Sequence, residues 1–278
     1  MNDALVCLID GQPGHALAAS DSAVLRGDGC FEAIRVYAGS PFRLADHLDR
    51  LQFSASALGM EVPERRLLEE WTSQVVAGRG DCVVRIVLTR GPAIPGAGGA
   101  GRCIVMSHPL PPALGALRLL PVAAPWHPAG RPWELAGVKS ISYAPNLAAS
   151  RRAAAAGFDD AVLVGDAGVV LEGPTFSVGW VSGGVLRTPS LDLGILESIT
   201  RRVVMELAPL EEVVAGIDDL LAADEVFAMS TLKEVTPVVA VGDRTVGPGP
   251  VTARLRQRVA EAVAETTVRQ ASLPAQPR

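Results

Sequence analysis

A stretch near the middle of this 278-residue chain has no helix or strand periodicity, and it limits how the chain can be divided into subdomains. Residues 125–137 read PWHPAGRPWELAG, whereas strand and helix patterns recur on both sides of them. Proline fixes φ and removes a backbone donor, so such a run is typical of a connection between elements. The stretch therefore predicts a small subdomain at residues 1–124 and a larger one at residues 138–278, joined by a loop.

Periodic patterns alternate between strands and helices in both halves. Strands are predicted from β-rich apolar runs at residues 4–10, 31–37, 41–44, 82–89, 103–107, 117–124, 160–164, 169–171 and 175–182. Helices are predicted from apolar residues at helical spacing at residues 45–58, 63–77, 146–156, 198–207 and 251–267. Short turns such as Gly183-Gly184 favour hairpins. We therefore expect an α+β protein with mostly antiparallel sheets and flanking helices.

Charge, hydropathy and cysteine usage exclude several classes of protein. The net charge is −5, so the positive field of a nucleic-acid surface is not expected. The sequence has no run of about 18 uncharged apolar residues, which argues against a membrane span. Residues 1–10 contain Asp3 and no basic residue, so a secretory signal is not expected. The four cysteines form no C-x-x-C pair, which is typical of a cytoplasmic protein with free thiols.

Common catalytic motifs are missing or out of context. The four histidines form no pair at helical spacing, so no metal site is expected. No G-x-S-x-G elbow of a serine hydrolase occurs. Gly96, Gly98 and Gly101 match G-x-G-x-x-G, but a strand rather than a helix is predicted to follow them. We therefore interpret this run as a hairpin loop rather than a dinucleotide site.

Lysine is rare in this chain. Lys139 and Lys233 are the only lysines among 25 basic residues. Arginine stays protonated and cannot act as a nucleophilic amine. In a chain that uses arginine for most of its positive charge, each of the two lysines is therefore a stronger candidate for a chemical role than a lysine in an ordinary chain. Lys139 lies in GVKSISYAPN, where small or apolar neighbours desolvate an ammonium and favour the neutral amine that a Schiff-base lysine requires. An ordinary loop lysine is the alternative.

Two further segments have the chemistry of a cofactor site. Glu172 follows a predicted strand in LEGPTF, where a rigidly held carboxylate can keep a pyridine nitrogen protonated. A serine can cap the next helix, whose first amides, at Ile199 and Thr200, can bind a phosphate. An acid capping a turn and an ordinary capped helix are the alternatives. Arg50 and Thr231 complete a phosphate site only if the fold brings them to it.

Together these segments resemble the class IV, or fold type IV, pyridoxal-phosphate enzymes, which include branched-chain and D-amino-acid aminotransferases and aminodeoxychorismate lyase. The likeness extends from about Asp21 to about Val241. It rests on six motifs in the order of the family, namely DSAVLRGDGCFEAIRVY, HLDRL, KSISYAPN, EGPTFSVGW, ESITRRVV and STLKEVTPV. The resemblance implies a two-subdomain fold similar to that of D-amino-acid aminotransferase.

The resemblance also implies a role for each candidate residue. Lys139 would be the catalytic Schiff-base lysine of pyridoxal 5′-phosphate, Tyr143 would contact the phenolic oxygen of the cofactor, and Glu172 would meet its pyridine nitrogen. The residues that would bind the phosphate are Arg50, Ile199, Thr200 and Thr231. The candidates for substrate binding are Arg26, Phe31, Arg35, Arg85 and Arg90.

Departures from the pattern of the family concern the substrate. Ser142 and Ser177 stand where many members have asparagine, and Arg26 stands where an aromatic residue often precedes G-D-G. Val83 replaces the tyrosine of the Y-x-R pattern of many branched-chain enzymes, and Arg90 does not begin the R-x-H pattern of D-amino-acid enzymes. The amino donor, the acceptor and the stereochemistry therefore stay open.

The function implied by the resemblance is transfer of an amino group between an amino acid or amine and a 2-keto acid. An aminodeoxychorismate lyase, which releases pyruvate and yields p-aminobenzoate, is an alternative, and a non-catalytic cofactor-binding relative is another. Members of the family are typically homodimers. We therefore expect a homodimer with small-molecule substrates and without a nucleic-acid or membrane partner.

Overall fold

The computed structural model describes residues 5–96, 98–113 and 115–271, which form two compact units. The first unit contains residues up to Pro111, the segment Val138–Ser142 and residues from Ala260 onward. The second unit contains Pro112–Gly137 and Tyr143–Val259. No helix in the described ranges is long and apolar enough to cross a membrane.

The first unit is built on a six-stranded sheet. Its strands are β1 (Val6–Ile9), β2 (Gln12–Pro13), β3 (Gly29–Tyr37), β4 (Ser40–Pro41), β5 (Cys82–Thr89) and β6 (Cys103–His108). Their spatial order is β2-β1-β6-β5-β3-β4, and every pairing between them is antiparallel. Its helices are α1 (Ser22–Arg26), α2 (Leu44–Ala57) and α3 (Arg65–Val76).

Alternation along β3 separates the core of the first unit from its other sheet face. Ile34 is buried in a cluster with Leu51 of α2 and Leu68 of α3. Phe31 and Arg35 are half-buried and point to the opposite face, because successive side chains of a strand alternate. The side chains of β3 thus face α2 and α3 on one side of the sheet, and those of Phe31 and Arg35 lie on the other.

The second unit is built on an eight-stranded mixed sheet. Its strands are β7 (Leu117–Ala123), β8 (Asp160–Val164), β9 (Ser177–Ser182), β10 (Val185–Pro189), β11 (Leu210–Val213), β12 (Glu225–Ser230), β13 (Glu234–Val241) and β14 (Arg244–Thr245). Their order is β11-β10-β9-β12-β13-β7-β8, with β14 paired to β13. The remaining helices are α4 (Ala144–Ala155), α5 (Ile199–Leu207), α6 (Ile217–Leu221) and α7 (Pro250–Ala271). Trp180 of β9 is fully buried in one apolar cluster, and Leu163 of β8 packs with Ala153 of α4 in another.

The limits of the two units differ from those expected from the sequence. Strand β7 belongs to the second unit, because it pairs in parallel with β13 and with β8. Residues 138–142 belong to the first unit, where Ser140 forms a bridge with Cys30 of β3. Periodicity predicts that a strand exists but not which strand it pairs with. The sequence therefore predicted one division of the chain, at residues 125–137, whereas the chain passes between the two units more than once.

Candidate active site

Lys139 is held by its backbone against β3 of the first unit. Its carbonyl accepts a hydrogen bond from the Phe31 N–H at 3.0 Å, and its own N–H donates to the Ser54 hydroxyl of α2 at 3.1 Å. Lys139 is half-buried, and its amine lies 4.4 Å from the centre of the Phe31 ring, within the range of a cation–π contact. The backbone is thus fixed, whereas four rotatable bonds still separate it from the amine.

Arg50 of α2 forms a bidentate ion pair inside the first unit. Its Nε and Nη2 donate to the two carboxylate oxygens of Glu32, each at 2.8 Å. His47 lies one turn earlier on the same helix, and its Nδ1 is 2.7 Å from the same carboxylate. All three side chains are buried. The predicted phosphate arginine is therefore held in a fixed orientation from β3.

Glu32 and Arg50 are the charged residues of this buried group. Burial by itself would raise the pKa of Glu32, but the charge and hydrogen bonds of Arg50, with a contribution from His47, lower it to about 2. Burial lowers the pKa of His47 and outweighs its contact with Glu32. Since an ionised carboxylate can only accept, a neutral His47 donates through Nδ1–H and keeps its lone pair on Nε2.

Two of the predicted substrate arginines lie on the sheet face that carries Phe31. Arg35 of β3 stacks on the Tyr37 ring at 4.6 Å. Arg85 of β5 pairs in register with Ala33, so its side chain lies on the same face. Its Nε donates to Nε2 of His108 at 3.2 Å, and the other ring nitrogen of His108 is 2.8 Å from the Pro109 carbonyl. This face therefore combines guanidinium groups with an aromatic ring.

The other two arginines are placed differently. Arg90 donates to both carboxylate oxygens of Asp28, at 2.6 and 3.1 Å, and to the carbonyls of Leu58 and Gly59 after the end of α2. Its guanidinium thus ties three segments of the first unit together and has fewer donors to offer a substrate. Arg26 is the exposed last residue of α1.

In the second unit, Glu172 is positioned by backbone and side-chain contacts. Its two carboxylate oxygens accept from the Leu196 N–H at 3.4 and 3.3 Å, and Oε1 is 3.8 Å from Nε2 of His127. The next residue, Gly173, closes a tight turn with Phe176, and a Cβ at Gly173 would overlap the Phe176 ring. The carboxylate thus lies at the end of a backbone segment with little freedom.

The predicted phosphate helix has the cap that its sequence indicates. The Ser198 hydroxyl accepts from the Arg201 N–H at 3.3 Å and caps α5, while Ile199 and Thr200 are buried in its first turn. The first amides of a helix have no intrahelical acceptor, so this end favours an anion. Leu196, which donates to Glu172, lies in the segment that leads into α5.

The loop that contains Thr231 is hydrogen-bonded to the segment that follows Glu172. Nζ of Lys233 donates to the Thr175 hydroxyl at 3.2 Å and lies 3.9 Å from the Asp160 carboxylate. Burial lowers the pKa of Lys233, against the opposing charge of Asp160. Lys233 therefore contributes to the packing of the second unit through its contacts with Thr175 and Asp160. Tyr143 precedes α4, where the Asn146 amide donates to the Pro174 carbonyl at 3.1 Å.

Sequence reasoning missed three residues that contact the predicted site residues. Glu32 and His47 orient Arg50, and His127 lies beside Glu172. One signal was present for the first two: Glu32 occupies an inward position of a strand whose other inward residues are apolar, and His47 lies three residues before Arg50 on a helix. Nothing local indicates the contact of His127, which lies 45 residues from its partner.

The two sheets and their flanking helices are those of a fold type IV enzyme. A solved structure with this architecture, the fold IV-transaminase CpuTA1 from Curtobacterium pusillum, superimposes with a TM-score of 0.85 and 29% identity, covering 92% of this chain and 99% of that one. The α+β prediction, with its mostly antiparallel sheets and flanking helices, is confirmed.

The family follows from comparison of the sequences. The family described as Amino-transferase class IV matches residues 29–241. A putative branched-chain-amino-acid aminotransferase of Methanocaldococcus jannaschii is 35% identical over 264 residues, which is 86% of this chain and 88% of that protein. A bifunctional aminodeoxychorismate lyase / D-amino acid transaminase of Mycobacterium tuberculosis is 34% identical over 228 residues, which is 73% of this chain and 78% of that protein. The chain belongs to the class IV aminotransferases, a pyridoxal-phosphate-dependent class, and the prediction of an aminotransferase is confirmed.

Proposed function

We propose that this chain transfers an amino group between an amino acid or amine and a 2-keto acid, with Lys139 as its catalytic lysine. The observation that carries the proposal is the placement of Lys139, whose backbone is bonded to Phe31 and Ser54 while its amine lies over the Phe31 ring. A fixed backbone with a long side chain suits an amine that first bonds a carbonyl and later acts as a base.

The donor groups of the chain fit pyridoxal phosphate. Lys139 offers a primary amine for an aldehyde, Glu172 offers a carboxylate for a pyridinium, and the first turn of α5 offers amides for a phosphate. Ser177, five residues after Glu172, adds a buried hydroxyl without a hydrogen-bond partner among the described residues. A buried polar atom that the protein leaves unpaired is expected where a ligand binds.

Each residue then has a definite task. When bound, pyridoxal phosphate supplies an aldehyde that bonds amines and a ring that accepts electrons from the substrate carbon. Nζ of Lys139 would hold the aldehyde of the cofactor at rest and, once a donor amine had replaced it, would move the proton from the substrate carbon to the cofactor carbon that carried the aldehyde. Glu172 would keep the pyridine nitrogen protonated, and Tyr143 would contact the phenolic oxygen. The residues that bind the phosphate are Arg50, Ile199, Thr200 and Thr231.

The substrate carboxylate is assigned to the sheet face of β3 and β5. Arg35 and Arg85 lie on this face together with Phe31, and a planar guanidinium binds a carboxylate through two hydrogen bonds. His108 orients Arg85 by accepting from its Nε. This arrangement supports a 2-keto acid as acceptor and leaves the side chain of the donor undefined.

Reduction with sodium borohydride and peptide mapping test the role of Lys139. In the holoenzyme, the pyridoxyl group is expected on the peptide with Lys139 and not on that with Lys233, the only other lysine. Lys233→Arg keeps its positive charge and is the matched control, which should be labelled like the wild type. Lys139→Ala should lose both the label and the visible absorbance of the bound cofactor. A label on Lys233 in the wild type would contradict the proposal.

An aminodeoxychorismate lyase is the second candidate, favoured by one observation, the 34% identity with the bifunctional enzyme of Mycobacterium tuberculosis. Both activities would use the same lysine. The two are separated by supplying the holoenzyme either with an amino donor alone or with aminodeoxychorismate. Conversion of the cofactor to its amine form by the donor supports the transferase, whereas pyruvate released from aminodeoxychorismate supports the lyase.

We further propose a cytoplasmic homodimer. The family resemblance supports the dimer, and the four cysteines, which are buried and unbridged, support a reducing compartment. Sedimentation equilibrium of the holoenzyme tests the assembly, and a monomer at micromolar concentration would contradict it.

A further inference from the structure

His127 lies in the proline-rich segment at residues 125–137 and is fixed from several sides. Its backbone N–H donates to the Ala124 carbonyl at 3.0 Å, and its carbonyl accepts from Nη2 of Arg131 at 3.3 Å. Its ring is buried, and Nδ1 accepts from the Ala129 N–H at 3.1 Å. Both the backbone and the ring of His127 are therefore held in one orientation.

The contact with Ala129 determines which nitrogen of the ring carries the proton. A backbone N–H can only donate, so Nδ1 must present its lone pair, and the proton of the neutral ring lies on Nε2. With Nδ1 accepting, Nε2–H is the donor that the ring can offer to another group.

The nitrogen that carries this proton, Nε2, lies near the Glu172 carboxylate. The distance of 3.8 Å from Nε2 to Oε1 is longer than a hydrogen bond, so the interaction is an electrostatic attraction that adds to the two contacts of the Leu196 N–H. Both partners are mostly buried, with side-chain exposures of 10% and 14%. Two neutral N–H groups therefore face this carboxylate.

We propose that His127 is a positioning residue that directs the Glu172 carboxylate toward the pyridine nitrogen of the cofactor without neutralising it. A neutral donor orients a carboxylate but leaves its full negative charge for another partner, whereas a cation in the same place would compete with the pyridinium for that charge. The inference rests on the proposed function, in which Glu172 keeps the ring nitrogen protonated.

The ¹⁵N chemical shift of the ring nitrogen, in holoenzyme loaded with ¹⁵N-labelled pyridoxal phosphate, tests this inference. The wild type should show a protonated nitrogen, and Glu172→Gln should move the shift toward that of the unprotonated ring. His127→Phe removes the donor and should move the shift in the same direction by a smaller amount. His127→Gln places an amide N–H at a similar reach and should restore most of the wild-type shift.

Kinetics give a second measurement on the same variants. His127→Phe should lower kcat about tenfold, as outer partners that orient a bound group do, with KM for the donor changed less than about twofold. His127→Leu is a smaller donor-free variant in case phenylalanine overpacks the loop. Thermal unfolding of the apo-proteins identifies the variants that fold, and the comparison is made on those.

The outcomes separate the two proposals. A wild-type protein that does not bond the cofactor through Lys139 overturns the proposed function and the role of His127 together. If Glu172→Gln changes the ¹⁵N shift but folded His127→Phe and His127→Leu do not, the proposed function stands and the role of His127 is wrong. An equal change in the ¹⁵N shift and in kcat in His127→Gln and His127→Phe would also overturn the role of His127, because the N–H donor would then not be the cause of the effect.

Discussion

The buried carboxylate of Glu32 allows a quantitative test of the electrostatics of the first unit. Glu32→Gln keeps the shape of the side chain but removes the negative charge that faces Arg50 and His47. The pKa of Glu32 is lowered from 4.5 to about 2. Since one pKa unit corresponds to about 1.4 kcal/mol, the ionised carboxylate contributes on the order of 3 kcal/mol to the free energy of unfolding. This agrees with the ~3–5 kcal/mol that is lost when one partner of a buried ion pair is removed.

The direction of the pKa shift determines how this contribution depends on pH. Because the folded pKa lies below the unfolded value, the contribution is complete above the unfolded pKa of 4.5 and is lost as the pH falls toward about 2. The part of the difference in free energy of unfolding between wild type and Glu32→Gln that comes from the Glu32 charge should therefore be present at neutral pH and shrink as the pH falls below 4.5.

Urea denaturation of the apo-protein, followed by circular dichroism, measures this difference without the stabilisation that a bound cofactor adds. Glu70→Gln is the matched control, because exposed Glu70 pairs with exposed Arg66 one helical turn away, at 3.5 Å. Such a pair contributes less than about 1 kcal/mol. Equal losses in the two variants at neutral pH, or a Glu32→Gln difference that is unchanged at about pH 3, would contradict a stabilising charge at Glu32.

Two further predictions follow from contacts elsewhere in the chain. Gly249→Ala should destabilise the protein by about 1–3 kcal/mol, because its Cβ would overlap the Glu225 carboxyl that accepts from the first amides of α7. Gly247→Ala, with no atom within 4 Å of its Cβ, should cost less than about 0.5 kcal/mol in the same denaturation assay. Arg85→Ala should raise KM for the keto acid about tenfold or more, whereas Arg90→Ala, which breaks contacts to Asp28, should lower the melting temperature and leave KM nearly unchanged. The reverse pattern in steady-state kinetics would assign the substrate carboxylate to Arg90.

Much of the local structure could be predicted from the sequence. The helices predicted at residues 45–58 and 198–207 correspond to α2 at Leu44–Ala57 and α5 at Ile199–Leu207. Residues 169–171, predicted as a strand, form only isolated bridges, and the five-residue helices α1 and α6 were not predicted. Periodicity needs several turns or several alternations before it differs from chance, so short elements give no usable signal.

The candidate site also has some features that could be predicted from the sequence and others that could not. Composition made both lysines candidates, because a scarcity of lysine needs no coordinates to be seen, and the small or apolar neighbours of Lys139 favoured it as a Schiff-base lysine. The sequence also indicated the Ser198 cap of α5, since a cap acts within one turn of its helix.

Which charges face each other could be known only from the folded chain. Glu32 meets Arg50 across 18 residues, Arg90 closes on Asp28 across 62, and His127 reaches Glu172 across 45. Strand pairing likewise placed β7 in the second sheet, beside β13 and β8. Helix period, alternation and capping act between near neighbours in the chain, whereas pairing of strands and of buried charges depends on distances that exist only after the chain has folded.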